Sequence, residues 1–421
     1  MPNVPKIRPF LTGLVTLWRA LRSDGRFFVP PRVVVRPAFV PKGAPRLYGG
    51  LVLLAVMMAF APVDRSFAAD KSEILEKIRS QLDVANGFDL AVFAQVPNAR
   101  SMAVAPDLGG IFVGTRGRNL YFVADPVKAG TDGAGGTAGT VTLISSDFTS
   151  ANGVAYKPGT LFVADQDRVV SFDMTGFTGT KLGKPDRVLF AGLPDKSHHG
   201  WRYIALSPDG ETLFVAVGAP CNICKVSGLE GTIITLPVTG GEPEIYASGI
   251  RNSVGLTFHP DSGNLWFTDN GGDGLGDDVP REELNHAVQA GGFYGYPWFA
   301  GNKTRAPDFK NEIIPHKVTF PAFTFNAHNA PLGVHFYNGD ALVALHGSWN
   351  RTVPDGYKVV RVKFTDGQPV SASPFLAGFL RSNGAVLGRP VDIKSYGKDG
   401  SVLVSDDHAG VIWRLTPRSK Y

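Results

Sequence analysis

The chain repeats one pattern six times: a few apolar residues, a turn, and a short strand that ends at a polar residue or a glycine. The copies begin near Ala99, Ala151, Gly200, Asn252, Pro331 and Arg389. A long-period repeat of short strands is typical of a propeller, because each repeat forms one blade that cannot bury its faces alone. A ring of blades buries those faces and leaves no long sheet edge exposed. We therefore predict an all-β fold, a six-bladed β-propeller of four-stranded antiparallel blades.

One further strand precedes the first copy, at residues 88–96 (FDLAVFAQV). We expect this strand to complete the last blade and so to close the ring. The 50 glycines and 31 prolines agree with a chain that turns often between short strands.

The N-terminal segment is expected to direct export. Residues 51–61 form an apolar run behind Arg46, and the small residues Ala68 and Ala69 follow it. This order is typical of a secretory signal, and the run is short for a membrane span. We predict a basic leader with a secretory signal at residues 1–69, a propeller domain at residues 70–421, and a periplasmic or secreted protein. The alternatives are an uncleaved segment that anchors the protein in a membrane and a start codon assigned too far upstream.

The formal net charge of +5 comes from the leader, because the first 69 residues hold ten Lys or Arg and two Asp or Glu. The rest of the chain is slightly acidic. Phosphate binding needs a clustered basic surface on the folded part, so the sequence argues against a nucleic-acid partner.

The two cysteines, Cys221 and Cys224, stand in the sequence Pro-Cys-Asn-Ile-Cys-Lys. No His follows them, so this is not a c-type haem attachment site, and two thiols alone do not make a structural zinc site. In an oxidising compartment we expect a local disulfide that pins the loop. A redox-active pair is the alternative.

Polar residues recur near the starts of the blades, where a propeller gathers them around its axis. They are Arg100, His198, His199, Arg251, Asn252, Arg351 and Arg389. Guanidinium groups bind carboxylates in pairs of hydrogen bonds and stack on flat rings, so the set indicates a pocket for an anionic, planar ligand. The His pair could supply a base, since the pKa of histidine lies near neutrality. Alternatively, each arginine pairs with a carboxylate between blades.

The longest insertion follows the fourth blade. Residues 269–285 hold several Asp and Glu residues among glycines. Hard oxygen ligands in a flexible loop suit calcium, although the spacing is not that of an EF-hand. The alternative is a solvated acidic loop.

Residues 249–298 resemble the signature of the glucose/sorbosone dehydrogenase family, in their Arg-Asn, Asp-Asn-Gly, Glu-Leu-Asn and Tyr-Gly-Tyr-Pro elements. The resemblance extends over residues 88–417. It implies a soluble six-bladed quinoprotein that binds pyrroloquinoline quinone (PQQ) with calcium.

The resemblance also implies roles for single residues. It places the catalytic base on His199, with His198 left open, and it places Arg251 and Asn252 against the reactive carbonyl of the quinone. Arg351 would replace a lysine that contacts the cofactor, Arg389 would bind its carboxylates, and Arg100 would be a polar cofactor contact. Gly271 and Gly272 would supply backbone carbonyl ligands to calcium, although the glucose enzymes have a proline at the second position.

The function implied by the resemblance is a PQQ- and calcium-dependent dehydrogenase that oxidises an aldose or related sugar, with His-assisted hydride transfer to the quinone. Because the chain has no haem motif, a separate electron acceptor, a quinone or a cytochrome, is implied. Two alternatives are a calcium-dependent lactonase-like propeller and a non-catalytic propeller that binds a glycan or a protein. The arginine set argues against the lactonase, which would need no such pocket.

Overall fold

The computed structural model describes residues 63–125 and 139–418. The predicted leader lies outside these residues, apart from a few at its C-terminal end. The chain from Arg65 onward forms one compact unit. Within the described ranges, no helix is both long enough and apolar enough to cross a bilayer.

The chain enters the propeller through a helix and two strands. These are α1 (Val63–Arg79), β1 (Asp83–Val84) and β2 (Phe88–Ala94). The first blade consists of β3 (Ala99–Ala105), β4 (Gly110–Thr115), β5 (Leu120–Ala124) and β6 (Thr140–Ser145). The second consists of β7 (Gly153–Lys157), β8 (Thr160–Ala164), β9 (Val169–Asp173) and β10 (Arg187–Phe190).

The third blade consists of β11 (Tyr203–Leu206), β12 (Thr212–Val217), β13 (Thr232–Pro237) and β14 (Glu244–Ser248). The fourth begins with β15 (Leu256–Phe258), β16 (Leu265–Asp269) and β17 (Glu282–Ala287). An insertion follows, with β18 (Gly292–Phe293), β19 (Phe299–Gly301), β20 (Thr304–Arg305) and a 3-10 turn (Pro307–Phe309). Strand β21 (Phe323–Phe325) then completes the blade.

The fifth blade consists of β22 (Pro331–Tyr337), β23 (Asp340–Leu345), β24 (Lys358–Thr365) and β25 (Gln368–Ala377). The sixth consists of β26 (Pro390–Tyr396), β27 (Ser401–Asp406), β28 (Val411–Pro417) and the N-terminal strand β2. Each blade is an antiparallel four-stranded sheet, so the predicted fold is confirmed.

The ring closes where β2 pairs with β28, as the sequence predicts. Phe88 lies opposite Pro417 and Val92 opposite Trp413, with an irregularity before Ala94. The first strands of the blades contact each other in sequence around the axis, and β26 contacts β3. Consequently the last blade is built from both ends of the propeller chain.

Three short elements extend this frame. Strand β1 adds to the outer edge of the fifth blade and β18 adds, in parallel, to the third. Strands β19 and β20 pair only with each other. Strands β1 and β18 thus cover blade edges that would otherwise have unpaired backbone groups.

Aromatic and aliphatic side chains fill the space between the blades. Trp413 is fully buried beside Phe379, and Trp266 stacks on His286 with ring centroids 4.2 Å apart. Full burial of one large apolar side chain contributes about 1.5–3 kcal/mol. Since this packing fixes the blades relative to each other, the segments before each first strand and after each second strand meet at one end of the axis.

Candidate functional site

A cavity of about 440 Å³ lies at that end of the propeller. Six of the residues predicted from the sequence line it: Arg100, His198, His199, Arg251, Asn252 and Gly271. Three others, Gly272, Arg351 and Arg389, are not among its lining residues. The fold therefore brings the His pair together with two of the four predicted arginines.

His199 has the geometry of a neutral base. Its backbone has a left-handed conformation, with φ of 53°, and its Nδ1 lies 2.8 Å from the carbonyl oxygen of Ala219. A carbonyl can only accept a hydrogen bond, so Nδ1 carries the proton and Nε2 has a free lone pair. A side chain at Gly218 would come within 2.5 Å of the His199 Cβ, so this close approach requires glycine.

Burial, with smaller contributions from the positive charge of Arg251 and from the neighbouring His198, lowers the pKa of His199 to about 3. The imidazole is therefore neutral throughout the physiological range. His198 is exposed, and its ring centroid lies 4.0 Å from that of His199. Its pKa is also lowered, by burial and by Arg251.

The Arg251 guanidinium is held by four hydrogen bonds. Nε donates to the Asn222 carbonyl oxygen at 2.9 Å, and Nη1 donates to the Asn270 carbonyl oxygen at 3.1 Å. Nη2 donates to Asn222 Oδ1 and to Asp273 Oδ2, both at 2.9 Å. Because a guanidinium has five N–H groups, one N–H on Nη1 has no acceptor among the described residues, and Arg251 is one of the residues that line the cavity.

Asp269, at the end of β16, fixes the backbone of the Arg-Asn pair. Its two carboxylate oxygens accept hydrogen bonds from the backbone N–H of Arg251 at 2.9 Å and of Asn252 at 2.6 Å. Burial raises the pKa of Asp269 to about 6, although these hydrogen bonds oppose the shift. These two hydrogen bonds therefore fix the backbone from which the side chains of Arg251 and Asn252 project.

Two more carboxylates are buried beside the predicted calcium loop. Glu282 lines the cavity and accepts a hydrogen bond from the Gly271 N–H at 2.7 Å. Burial raises the pKa of Glu282 to about 7 and that of Glu283 to about 8. In the described part of the chain, no cluster of three or more His, Cys, Asp or Glu is arranged to hold a metal. A cation here would therefore need other ligands, such as backbone carbonyl oxygens.

Arg100 takes part in a cluster between the first and last blades. Its Nη1 lies 2.8 Å from Asp407 Oδ2, and His346 Nε2 lies 2.9 Å from Asp407 Oδ1. Burial lowers the pKa of His346 to about 4 despite this carboxylate. Arg100 and His346 both line the cavity. The two alternatives for Arg100 are therefore compatible, since it forms an inter-blade ion pair and also faces the cavity.

Arg351 and Arg389 are engaged elsewhere. Arg351 donates to the backbone carbonyl oxygens of Asp277 and Ala327 and lies 3.6 Å from Asp278 Oδ1, so it secures the acidic loop. Arg389 donates to the carbonyl oxygen of His346 at 3.0 Å, behind the cavity wall. The roles of these two arginines as cofactor contacts stay predictions. The role of Gly272 as a calcium ligand also stays a prediction; its N–H donates to the carbonyl oxygen of Ala300.

Sequence reasoning missed several lining residues. Arg116 has a half-exposed guanidinium that lies 4.6 Å from the centre of the Trp201 ring. Trp349 is 75% exposed at the cavity. Asn350 donates to Asp273 Oδ1 at 2.7 Å, while its own Oδ1 is buried and has no partner among the described residues. The unusual sequence at residues 346–351 could have indicated Trp349 and Asn350. Arg116 lies in the turn after the second strand of the first blade.

The predicted disulfide is present between Cys221 and Cys224. It closes a short loop around Asn222, which contacts Arg251, and Ala219, which contacts His199, lies two residues before this loop. The cysteines therefore do not line the cavity themselves but lie beside residues that hold two of its lining side chains.

Fold and cavity together define a propeller with one polar, arginine- and histidine-lined site on its axis. Residues 82–418 match the family described as TrAA12-like, and the chain belongs to this family. The predicted resemblance to six-bladed sugar dehydrogenases is thereby confirmed.

Individual relatives agree with this placement. An uncharacterized protein of Borreliella burgdorferi is 31% identical over 361 residues, which make up 81% of this chain and 92% of that protein. A pyrroloquinoline quinone-dependent pyranose dehydrogenase of Coprinopsis cinerea is 25% identical over 338 residues, 68% of this chain but only 45% of that protein. A solved structure of a Trichoderma reesei protein of carbohydrate-active enzyme family AA12 superposes with a TM-score of 0.68 at 22% identity, covering 80% of this chain and 98% of the other.

Proposed function

We propose that the protein is an exported, PQQ- and calcium-dependent dehydrogenase that oxidises an aldose or related sugar. The observation that carries the proposal is the pairing of a neutral His199, with Nε2 unprotonated, and a fixed Arg251 in one cavity. Oxidation of an alcohol by hydride transfer is helped by a base that takes the hydroxyl proton and by a donor that stabilises the negative charge that develops.

The residues present fit a flat ligand with several carboxylates. Arg100, Arg116 and Arg251 all line the cavity. The half-buried Trp201 ring, which lies against Arg116, offers an aromatic surface. The unpartnered Oδ1 of Asn350 is a further buried group that a ligand could satisfy.

The acidic side of the cavity fits a divalent cation. Asp273 is already paired with Arg251, but Glu282, whose pKa burial raises to about 7, is partly ionised at neutral pH and would then repel a carboxylate of a ligand unless a cation lay between them. Among the described residues, no donor is bonded to the carbonyl oxygens of Gly271 and Gly272. Hard oxygen atoms of this kind suit calcium, so we assign the ion to this side.

In the mechanism that we propose, His199 Nε2 accepts the proton of the anomeric hydroxyl as that carbon is oxidised. PQQ, when bound, supplies the acceptor for the electron pair. The remaining N–H of Arg251 would help to hold the acceptor and would stabilise negative charge on a ligand bound beside it. The backbone hydrogen bonds to Asp269 keep the Arg-Asn pair in place during the reaction. A separate electron carrier outside the cytoplasm then completes the turnover.

The test uses purified protein freed of ligands. It is titrated with PQQ and calcium, and reduction of a dye is followed with glucose and other aldoses. We expect saturable binding and sugar-dependent dye reduction. His199→Gln should lower kcat by about 10²–10⁴, and His198→Gln, which removes the other imidazole of the pair, should lower it less; the opposite order would assign the base to His198. Absence of both binding and dye reduction in the wild type would refute the proposal; calcium-dependent lactone hydrolysis without the quinone would favour the lactonase instead.

A further inference from the structure

The loop at residues 219–224, which ends in the disulfide, contacts both of the side chains to which we assign chemistry. Ala219, just before the first cysteine, accepts the Nδ1–H of His199 at 2.8 Å. Asn222, between the cysteines, accepts two hydrogen bonds from Arg251, one on its backbone oxygen and one on Oδ1, both at 2.9 Å. A displacement of this loop would therefore disturb both groups together.

Asn222 also joins Arg251 to the glycine segment. Its Oδ1 accepts the Asp273 N–H at 2.8 Å, and its Nδ2 donates to the Asp273 carbonyl oxygen at 3.0 Å. Asp273 in turn accepts a hydrogen bond from Arg251. One side chain thus sets the guanidinium and the backbone after Gly272 relative to each other.

The loop needs an anchor, because Asn222 is exposed and water competes for its hydrogen bonds. Two anchors are present. The disulfide joins Cys221 to Cys224, and the hydroxyl of the buried Tyr296 accepts the Cys224 N–H at 3.0 Å. A short closed loop has few alternative conformations, so these contacts hold Asn222 in place at little entropic cost.

We propose that Asn222, held by the Cys221–Cys224 disulfide, is a positioning residue that orients the Arg251 guanidinium for the reaction. The inference deepens the proposed function and rests on it for its effect on turnover. Without the Oδ1 acceptor, Nη2 of Arg251 keeps only Asp273, and the guanidinium can rotate toward that carboxylate. The orientation of its remaining N–H toward a bound ligand is then no longer fixed. Because removal of one fixed donor typically costs about 10²–10³ in kcat, we expect misorientation to cost about 10- to 100-fold.

The experiment compares four proteins that share the rest of the site. Asn222→Ala removes all three side-chain bonds. Asn222→Asp keeps the two that Oδ1 accepts and is the conservative rescue. A Cys221→Ser, Cys224→Ser double variant releases the loop but leaves Asn222 intact. Asn383→Ala is the matched control, because Asn383 is an exposed asparagine whose Oδ1 accepts a hydrogen bond from Ala385 in a turn.

Two readouts are measured on full-length protein. The first is the separate change in kcat and in KM for the sugar, with PQQ and calcium saturating. The second needs no turnover: the rate at which phenylglyoxal labels Arg251 in the ligand-free protein, followed by peptide mass spectrometry. Arg251 is 4% exposed and should label slowly in the wild type. Thermal unfolding is recorded for each variant to verify that it is folded.

For Asn222→Ala we expect kcat to fall about 10- to 100-fold with KM changed less than about threefold, and Arg251 labelling to accelerate at least about threefold. The double cysteine variant should change in the same direction. Asn222→Asp should stay within about fivefold of wild type, and Asn383→Ala should not differ from it. Unchanged kcat in Asn222→Ala, or a lower kcat with unchanged labelling, would overturn the inference. An inactive wild type would refute only the proposed function, since the labelling rates still decide whether Asn222 positions Arg251.

Discussion

The protonation of His199 gives the sharpest prediction, because the structure places its pKa far below that of an ordinary imidazole. Burial is the largest cause, and Arg251 and His198 add positive charge nearby. With a pKa of about 3, roughly one molecule in a hundred carries a protonated His199 at pH 5. With the usual value of about 6.5, about 97% would be protonated. The two cases differ by roughly 30-fold in the amount of free base.

The assay is a titration of ligand-free protein with ¹³C-labelled histidine, followed by NMR from pH 8 to pH 4. The signal that disappears in His199→Gln identifies the residue. We expect this signal to keep the shift of neutral imidazole throughout. Activity measurements alone would not decide the question, because the pKa values of Asp269 and Glu282 are raised, by burial, to about 6 and about 7. A midpoint near 6.5 for His199 would refute the electrostatic description of the site.

The same shift has a consequence for stability, whose sign follows from proton counting. Between about pH 6.5 and pH 3 the unfolded chain binds a proton on His199 that the folded protein does not bind. The free energy of unfolding from this group therefore falls as the pH is lowered through that range. We expect His199→Gln to lose less stability on acidification than wild type, as measured by urea unfolding at several pH values.

Four other predictions concern closure, substrate and ligand binding. Phe93→Ala should lower the free energy of unfolding by about 3–5 kcal/mol, because Phe93 lies in β2 and is only 3% exposed. Asp89→Ala, on the exposed face of the same strand, should lower it by less than about 1 kcal/mol. Equal losses in urea unfolding would contradict closure of the ring by β2. Trp349→Ala should raise KM for the sugar about tenfold with little change in kcat; an unchanged KM would remove this Trp from the substrate site. Arg116→Gln should weaken PQQ binding about tenfold, or about 1.4 kcal/mol, and Arg351→Gln should weaken it less. The opposite order in a binding titration would show that Arg351, rather than Arg116, contacts the cofactor. Removal of calcium with a chelator should weaken PQQ binding at least about tenfold. Calcium should restore binding better than magnesium, which demands stricter geometry. PQQ binding that is unchanged by the chelator would exclude a role for calcium in binding the cofactor.

The fold was predictable because its signal is distributed over the whole chain. Each of the six copies of one pattern specifies a strand pair and a turn. The strand at residues 88–96 precedes the first copy, and the last blade was the one that needed a further strand. The additions β1, β18 and the β19–β20 hairpin were not predicted. Strands of two or three residues contain too little pattern to recognise, and their pairing depends on which edge the folded blades leave open.

The candidate site was predictable where a residue lies directly beside a strand. Arg100 belongs to β3, and Arg251 lies in the short connection between β14 and β15, so the frame of the ring determines their positions. Arg351 lies six residues after the end of β23, and the path of the intervening loop is not encoded by the repeat. A long guanidinium side chain can also turn back to backbone carbonyl groups, as that of Arg389 does. Composition cannot distinguish these outcomes.

The charges around the cavity explain why an ion and Arg116 matter more than the number of arginines suggests. Arg100 is paired with Asp407 at 2.8 Å and Arg251 with Asp273 at 2.9 Å, so much of their charge is already neutralised within the protein. Arg116 lies 4.0 Å from the same Asp407 and is half exposed, so it keeps more of its charge for a ligand. An anionic ligand would therefore find one weakly paired guanidinium on one side and carboxylates on the other. If the proposed calcium ion binds at the carboxylate side, it would supply the missing positive charge, so the proposed binding of quinone and metal should be mutually dependent.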